Sequence, residues 1–309
     1  MRRFTAMTLS LLLALSAFVP AQAAAEPINI VTSFYPLYIF ARNILKDVPG
    51  VELQNLTHPT TGCLHDYQLL ASDMRTLSNA DALIINGGGM EAFLDPVREQ
   101  FRALTVIDTS LGITLIPVYD LGHEEGETEE EHKGHDHGEF NAHIWLDPGN
   151  ADLMVTTMAL ALSELLPRHA EQINLNLNDY VSRLTALDAE LKAQLSALKR
   201  RDIVTFHEAF PYFAKAYGLN VVAVLALEPD QALTPQMLTV LVEKVKAADL
   251  PPLFTEPQYE DRAARAVALE TGARIYELDP IVTGDGSPDA YEVGMRKNAQ
   301  TLVQALGLE

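Results

Sequence analysis

Cationic residues, cysteine and tryptophan are what this chain is short of. It holds one cysteine, Cys63, and one tryptophan, Trp145, in 309 residues. A single thiol excludes an intramolecular disulfide, so stability must come from a packed core. Lysine and arginine number 22 against 42 aspartates and glutamates, a formal charge of −20. That deficit excludes a nucleic-acid surface, where phosphates call for clustered cations, and favours cations as partners or simple solubility. Phosphate-loop signatures are missing too: Gly87-Gly88-Gly89 fits neither G-x-x-x-x-G-K-[ST] nor G-x-G-x-x-G and reads as a turn between strand and helix. The leading apolar run, Leu9 to Val19, falls short of the ~20 residues a spanning helix needs. Behind Arg2 and Arg3 and ahead of Ala21-Gln22-Ala23, it reads as a secretory signal over residues 1–23. No cysteine follows that cleavage site to take a lipid anchor. The expectation is a soluble periplasmic protein, with no membrane insertion once the signal is removed.

What the chain does have is a concentration of metal-binding side chains. From Asp120 to Glu139 there are nine carboxylates, four histidines (His123, His132, His135, His137) and one cation, Lys133. An ordered-looking patch, Asn141-Ala142-His143-Ile144-Trp145-Leu146-Asp147-Pro148, follows directly. Imidazole nitrogens crowded with carboxylate oxygens point to a divalent metal. The acidic part, residues 120–139, reads as a flexible loop that binds metal weakly.

The rest alternates β-branched or apolar runs with helical patterns. Strands are expected at Ile28–Thr32, Val51–Leu56, Ala82–Ile85 and Leu104–Ile107, then at Asp202–Phe206, Val221–Ala226, Leu253–Glu256 and Arg274–Leu278. Helices are expected at Pro36–Lys46, Gln68–Leu77 and Met90–Ala103, and after the midpoint at Pro211–Tyr217, Pro235–Ala248, Asp261–Thr271 and Pro288–Leu306. Strands spaced by helices of this length imply parallel βαβ units, an α/β fold. Between the halves, Arg168 to Lys199 runs without glycine or proline, and Leu177, Leu184, Leu191 and Leu198 recur every seven residues. A helix lying along two lobes accounts for that stripe, although a coiled coil has the same period. The domain plan is therefore a lobe over 24–167, a linking helix over 168–199 and a lobe over 200–309. Each lobe is a mainly parallel sheet flanked by helices.

Four polar residues stand at or beyond strand ends: His65, His143, His207 and Asp279. Ligands of open α/β sheets bind there, and three imidazoles with a carboxylate suit tetrahedral zinc. Their wide separation excludes a zinc finger, and any one histidine at a strand end is more often structural. The words around them carry more. GCLHDYQL, NAHIWLDP, VTFHEAFPYFAKAYGL and YELDP, in this order, resemble the zinc- and manganese-binding proteins of ABC importers along essentially the whole mature chain. That resemblance implies two lobes joined by a rigid helix with one metal in the cleft, held by His65, His143, His207 and Asp279. It implies a membrane permease with a cytosolic ATPase as partner and a monomer that binds Zn2+ as cargo, without catalysis. Manganese-type members usually have glutamate at the position of His207, so the histidine favours zinc, with manganese or broad divalent binding as the alternative.

Other residues take lesser parts. Glu208 and Glu256 are read as supporting residues, with Glu256-Pro257-Gln258-Tyr259 lining the cleft. Cys63 reads as a small buried hydrophobe more than a thiolate ligand. His58 and His169 read as surface residues. Two rivals stay open: a secreted zinc hydrolase, for which His207-Glu208 lacks the second histidine of H-E-x-x-H, and metal storage or adhesion.

Overall fold

The structure is a computed structural model that describes residues 27–58, 64, 67–94, 100–118, 139–225 and 234–307. Two parallel sheets organise it. The first contains β1 (Ile28–Thr32), β2 (Val51–Asn55), β3 (Ala82–Ile85) and β4 (Thr105–Asp108) in the order β2-β1-β3-β4. The second repeats this order with β5 (Asp202–Thr205), β6 (Asn220–Val224), β7 (Leu253–Thr255) and β8 (Ile275–Glu277), as β6-β5-β7-β8. Ile30 of β1 lies beside both Leu53 and Ala82, and Val204 of β5 beside Leu253. These are the β-branched and apolar runs expected from the sequence, and the inner strands are buried on both faces as parallel sheets require. In each sheet the chain goes to one side of its first strand and then returns to the other. That reversal opens a crevice beyond the strand ends, between β1 and β3 and between β5 and β7.

The helices on the first sheet are α1 (Tyr35–Ile44), α2 (Ala71–Ser78) and α3 (Pro148–Leu165). The linking helix, α4, spans Ala170–Ser196 after a 3-10 turn at Pro167–His169, and at ~1.5 Å per residue runs about 40 Å. The second sheet carries α5 (Pro211–Tyr217), α6 (Pro235–Ala247), α7 (Arg262–Thr271) and α8 (Ala290–Leu306). Among the described residues no helix is long and apolar enough to cross a membrane.

Two expectations need correction. Helix α3 has no counterpart among the expected elements, although Asp147 caps it by accepting from Gly149 N at 2.8 Å and Pro148 opens it. Its apolar stripe is blurred by Leu153 and Leu160, which face outward. The expected helix over Met90–Ala103 does not start as one: Met90 and Glu91 lie in a turn and Ala92–Leu94 is a 3-10 turn. Gly87, Gly88 and Gly89 all take positive φ, which lets the chain fold back so that Glu91 reaches the end of β3. Its carboxylate accepts from Ser33 Oγ (2.6 Å), Asn86 N (2.8 Å) and Gly87 N (3.1 Å).

One apolar cluster joins the two lobes, with a smaller separate cluster in each. The joining cluster links Ile30 and Phe40 of the first lobe to Phe210, Phe213, Tyr291 and Leu302 of the second, by way of α4. The buried positions of α4 are Ile173, Asn176, Tyr180, Leu184, Leu187, Leu191 and Leu195, spaced by three or four as on a helix packed against a globular core. Leu177 and Val181 of the expected stripe are only partly buried. Asn176 adds polar ties, donating through Nδ2 to Ile44 O at 2.9 Å and Lys46 O at 2.7 Å. Arg183 joins Asn43 of α1 to Glu292 of α8.

Burial pushes the Glu91 carboxyl up to about 7, against the lowering effect of its three hydrogen bonds. An acid raised in this way contributes stability that is full below its unfolded value, near 4.5, and lost as pH rises through about 7. Denaturant unfolding of wild type beside Glu91→Gln should show wild type losing on the order of 3 kcal/mol relative to the variant across that window. Equal pH slopes would contradict it.

Candidate metal centre

The strands that flank the reversal in the second sheet are β5 and β7, and each ends in a polar side chain aimed at the other. His207 lies just beyond β5 and Glu256 just beyond β7. Glu256 Oε1 and His207 Nδ1 are in direct contact, with 1% and 2% of their side chains exposed. A carboxylate only accepts, so Nδ1 carries the proton and His207 Nε2 is turned away from Glu256, towards the first lobe.

His143 meets it there. It leads into the 3-10 turn Ile144–Leu146, and its ring is fixed by Asn141. Asn141 Nδ2 donates to Glu208 O at 2.6 Å, which settles the amide orientation and makes Oδ1 the acceptor. That Oδ1 accepts from His143 N at 3.0 Å and faces His143 Nδ1 at 3.2 Å. The proton of His143 therefore also sits on Nδ1. His143 Nε2 and His207 Nε2 lie 3.2 Å apart, in rings set edge to face with centroids separated by 5.0 Å. Two lone pairs aimed at each other this closely repel unless a proton or a cation lies between them. Two imidazole nitrogens about 2.0–2.1 Å from one tetrahedral zinc would stand about 3.3–3.4 Å apart.

Asp279 stands on the turn that follows β8. Its main chain is clamped by Asn298 of α8, whose Oδ1 accepts from Asp279 N (2.8 Å) and whose Nδ2 donates to Asp279 O (2.7 Å). Its Oδ1 accepts from Ile281 N at 2.8 Å and Gln258 Nε2 at 2.9 Å. Ile281 has φ +60, a left-handed conformation that a β-branched residue adopts at a cost of about 1–3 kcal/mol. The first lobe holds that turn in place, because Trp145 Nε1 donates to Pro280 O at 2.8 Å.

Of the residues singled out in the sequence, the structure brings His143, His207 and Glu256 together. Asp279 stands on the turn after β8, held by Gln258, and among the described residues no three His, Cys, Asp or Glu side chains gather at one metal-sized point. Glu208 reaches the site through its carbonyl oxygen and also lines a cavity of about 410 Å³ with Leu115, Lys215 and Val221. His65, Cys63 and the loop histidines His123, His132, His135 and His137 lie outside the described residues. Leu64, beside His65, is fully buried. His58 is exposed and His169 partly so.

Three residues of the seam escaped sequence reasoning. Asn141 orients His143, Asn298 fixes Asp279, and Tyr212 Oη donates to Asn141 O at 2.8 Å while accepting from Ile116 N at 2.9 Å. Asn141 offered a signal, an Asx residue two positions before a histidine; Tyr212 and Asn298 offered none.

Comparison with known proteins decides the family. Residues 30–305 match the family model described as ZnuA, zinc-uptake complex component A periplasmic. The chain belongs to the ZnuA family. It is 29% identical over 323 residues to the high-affinity zinc uptake system protein ZnuA of Brucella abortus, covering 94% of this chain and 96% of that one. It is 28% identical over 300 residues to the zinc-binding protein AdcA of Streptococcus pyogenes, where it covers 91% of itself but spans 56% of the relative's length. The iron-binding protein YfeA of Yersinia pestis is 28% identical over 288 residues, 92% of this chain and 88% of that protein. Among solved structures, a ZnuA crystal structure superposes with a TM-score of 0.76 at 26% identity, covering 91% of this chain and all of the other. A nickel complex of FpvC from P. aeruginosa gives 0.77 at 25% identity, with 91% and 97% covered. The two-lobed α/β fold of this ZnuA-family chain is thus the fold of those structures.

Asn141 makes hydrogen bonds to both lobes and is buried. Asn141→Ala should lower the unfolding free energy by about 2–4 kcal/mol, each lost bond counting for about 1 kcal/mol. Urea denaturation reads this directly, and a loss under 1 kcal/mol would show that the seam does not depend on it.

Proposed function

We propose that this chain captures Zn2+ in the periplasm and delivers it to an ABC-type permease powered by a cytosolic ATPase, with residues 1–23 directing export. The observation that carries the reading is the pair of Nε2 atoms, one from each lobe, aimed at each other across 3.2 Å. Each has its other ring nitrogen engaged by an oxygen acceptor, as second partners hold metal-binding imidazoles in position. Family membership and the zinc-binding names of the B. abortus and S. pyogenes relatives support the same cargo.

The metal is held by His65, His143, His207 and Asp279, a closed set of four donors that suits a carried ion. A catalytic zinc keeps a position open for water, and His207-Glu208 is not continued into H-E-x-x-H, so an enzyme is not proposed. Glu256 supports His207. The loop histidines His123, His132, His135 and His137 form an accessory arm that gathers zinc for the cleft. A second reading, a broader divalent-metal carrier, is favoured by the iron-binding name of YfeA and the nickel-bound FpvC. His207 speaks for zinc over manganese, because imidazole suits zinc and oxygen donors suit manganese.

Protons and metal compete for the same lone pairs, so zinc affinity should fall as the medium is acidified through the imidazole range. Competitive titration with Zn2+ and Mn2+ tests the ligand roles. Glu256→Leu should weaken zinc binding ~10–100-fold through loss of ring orientation, and His207→Ala should weaken it further. A wild type that prefers manganese, or a His207→Ala variant with unchanged zinc affinity, would overturn the proposal.

A further inference from the structure

Asp279 offers its two oxygens unequally. Oδ1 already accepts two hydrogen bonds, from the Ile281 amide at 2.8 Å and Gln258 Nε2 at 2.9 Å, which uses the lone pairs of that oxygen. No described residue donates to Oδ2. Gln258 is itself spent on this arrangement. Its second amide hydrogen goes to Thr283 Oγ1 at 3.0 Å, so both donors serve the loop that carries Asp279. Its Oε1 is buried without a partner among the described residues, which costs stability. Turning the amide over would place Oε1 against the Asp279 carboxylate, so charge dictates the orientation and the acceptor goes unpaired. A glutamine that leaves its carbonyl stranded in order to donate to a carboxylate is placed for its donors.

We propose that Gln258 is a specificity-determining residue, which occupies Asp279 Oδ1 and so confines the carboxylate to binding metal through Oδ2 alone. The inference rests on the reading of Asp279 as a ligand. Three imidazoles and one carboxylate oxygen make four donors, the number a tetrahedral zinc takes. A carboxylate free to bind through both oxygens adds a fifth donor and moves the site towards the oxygen-rich, higher-coordinate surroundings that suit manganese. The Ile281 amide holds Oδ1 from the main chain in any variant, but one lone pair is released when Gln258 is lost. Gln258 therefore acts on selectivity between metals more than on affinity for zinc.

The test is competitive titration of the full chain with Zn2+ and Mn2+, together with the visible absorption spectrum of the Co2+-loaded protein. Gln258→Met keeps the length of the side chain and removes both donors. It should shift the zinc-to-manganese affinity ratio about tenfold towards manganese, and the intense four-coordinate Co2+ bands of wild type should weaken towards a five-coordinate pattern. Thr283→Val, which loosens Gln258 without touching Asp279, should move both readouts a smaller way in the same direction and serves if the first variant does not fold. Equal loss of zinc and manganese affinity with an unchanged Co2+ spectrum would overturn the proposal, since a merely structural role predicts that result. Asp279→Ala separates the two levels. Zinc affinity equal to wild type in that variant would remove the ligand reading itself, whereas lost affinity there beside an unmoved ratio in Gln258→Met would sink the role of Gln258 alone.

Discussion

The distance between two ring nitrogens that belong to different lobes is the constraint on which the rest depends. His143 comes from the first lobe and His207 from the second, and their Nε2 atoms are 3.2 Å apart. No local rule of helix or strand sets such a distance. It is set by how the lobes sit, so each interaction that fixes the lobes also fixes the site. The linking helix does this on the large scale, because one apolar cluster passes through it from Ile30 to Leu302. The seam does it on the small scale. Asn141 is tied to Glu208 and Tyr212, and Trp145 to Pro280 and Tyr291. Swinging the lobes apart would break these bonds and expose the shared core, and both costs oppose a wide hinge opening.

The strand order explains why chemistry gathers where it does. Because β5 and β7 are neighbours on either side of the reversal, the residues that follow them meet across the crevice without long loops. Glu256 can then govern which nitrogen of His207 faces the first lobe, while Gln258, two residues on, holds Asp279. One short stretch after β7 thus handles two of the side chains proposed to bind metal. The strained φ of Ile281 belongs to the same arrangement: its amide is turned onto Asp279 Oδ1, and the first lobe pins the turn through Trp145.

Much of this was legible in the residues. The β-branched runs located all eight described strands, strand ends drew attention to His207 and Asp279, and the ordered patch after the acidic stretch drew it to His143, which follows no strand but leads into a 3-10 turn. What was illegible has definite causes. Exposed Leu153 and Leu160 hid the helix at Pro148–Leu165, and three glycines at positive φ turn the chain where the helix expected from Met90 was to start. In the linking helix the seven-residue leucine spacing was real, but Leu177 turns partly outward and Tyr180 takes the core. Asn141, Tyr212 and Asn298 are ordinary polar residues whose partners lie far along the chain, and only folding reveals what they hold.

The central claim is that one metal ion is gripped between the lobes by the two facing imidazoles. A crystal structure of the zinc-loaded protein, with an anomalous difference map collected at the zinc edge, tests it most directly. The account predicts a strong peak bonded to both His143 Nε2 and His207 Nε2, about 2.0–2.1 Å from each. A fully loaded protein whose peak lies away from either ring would contradict it.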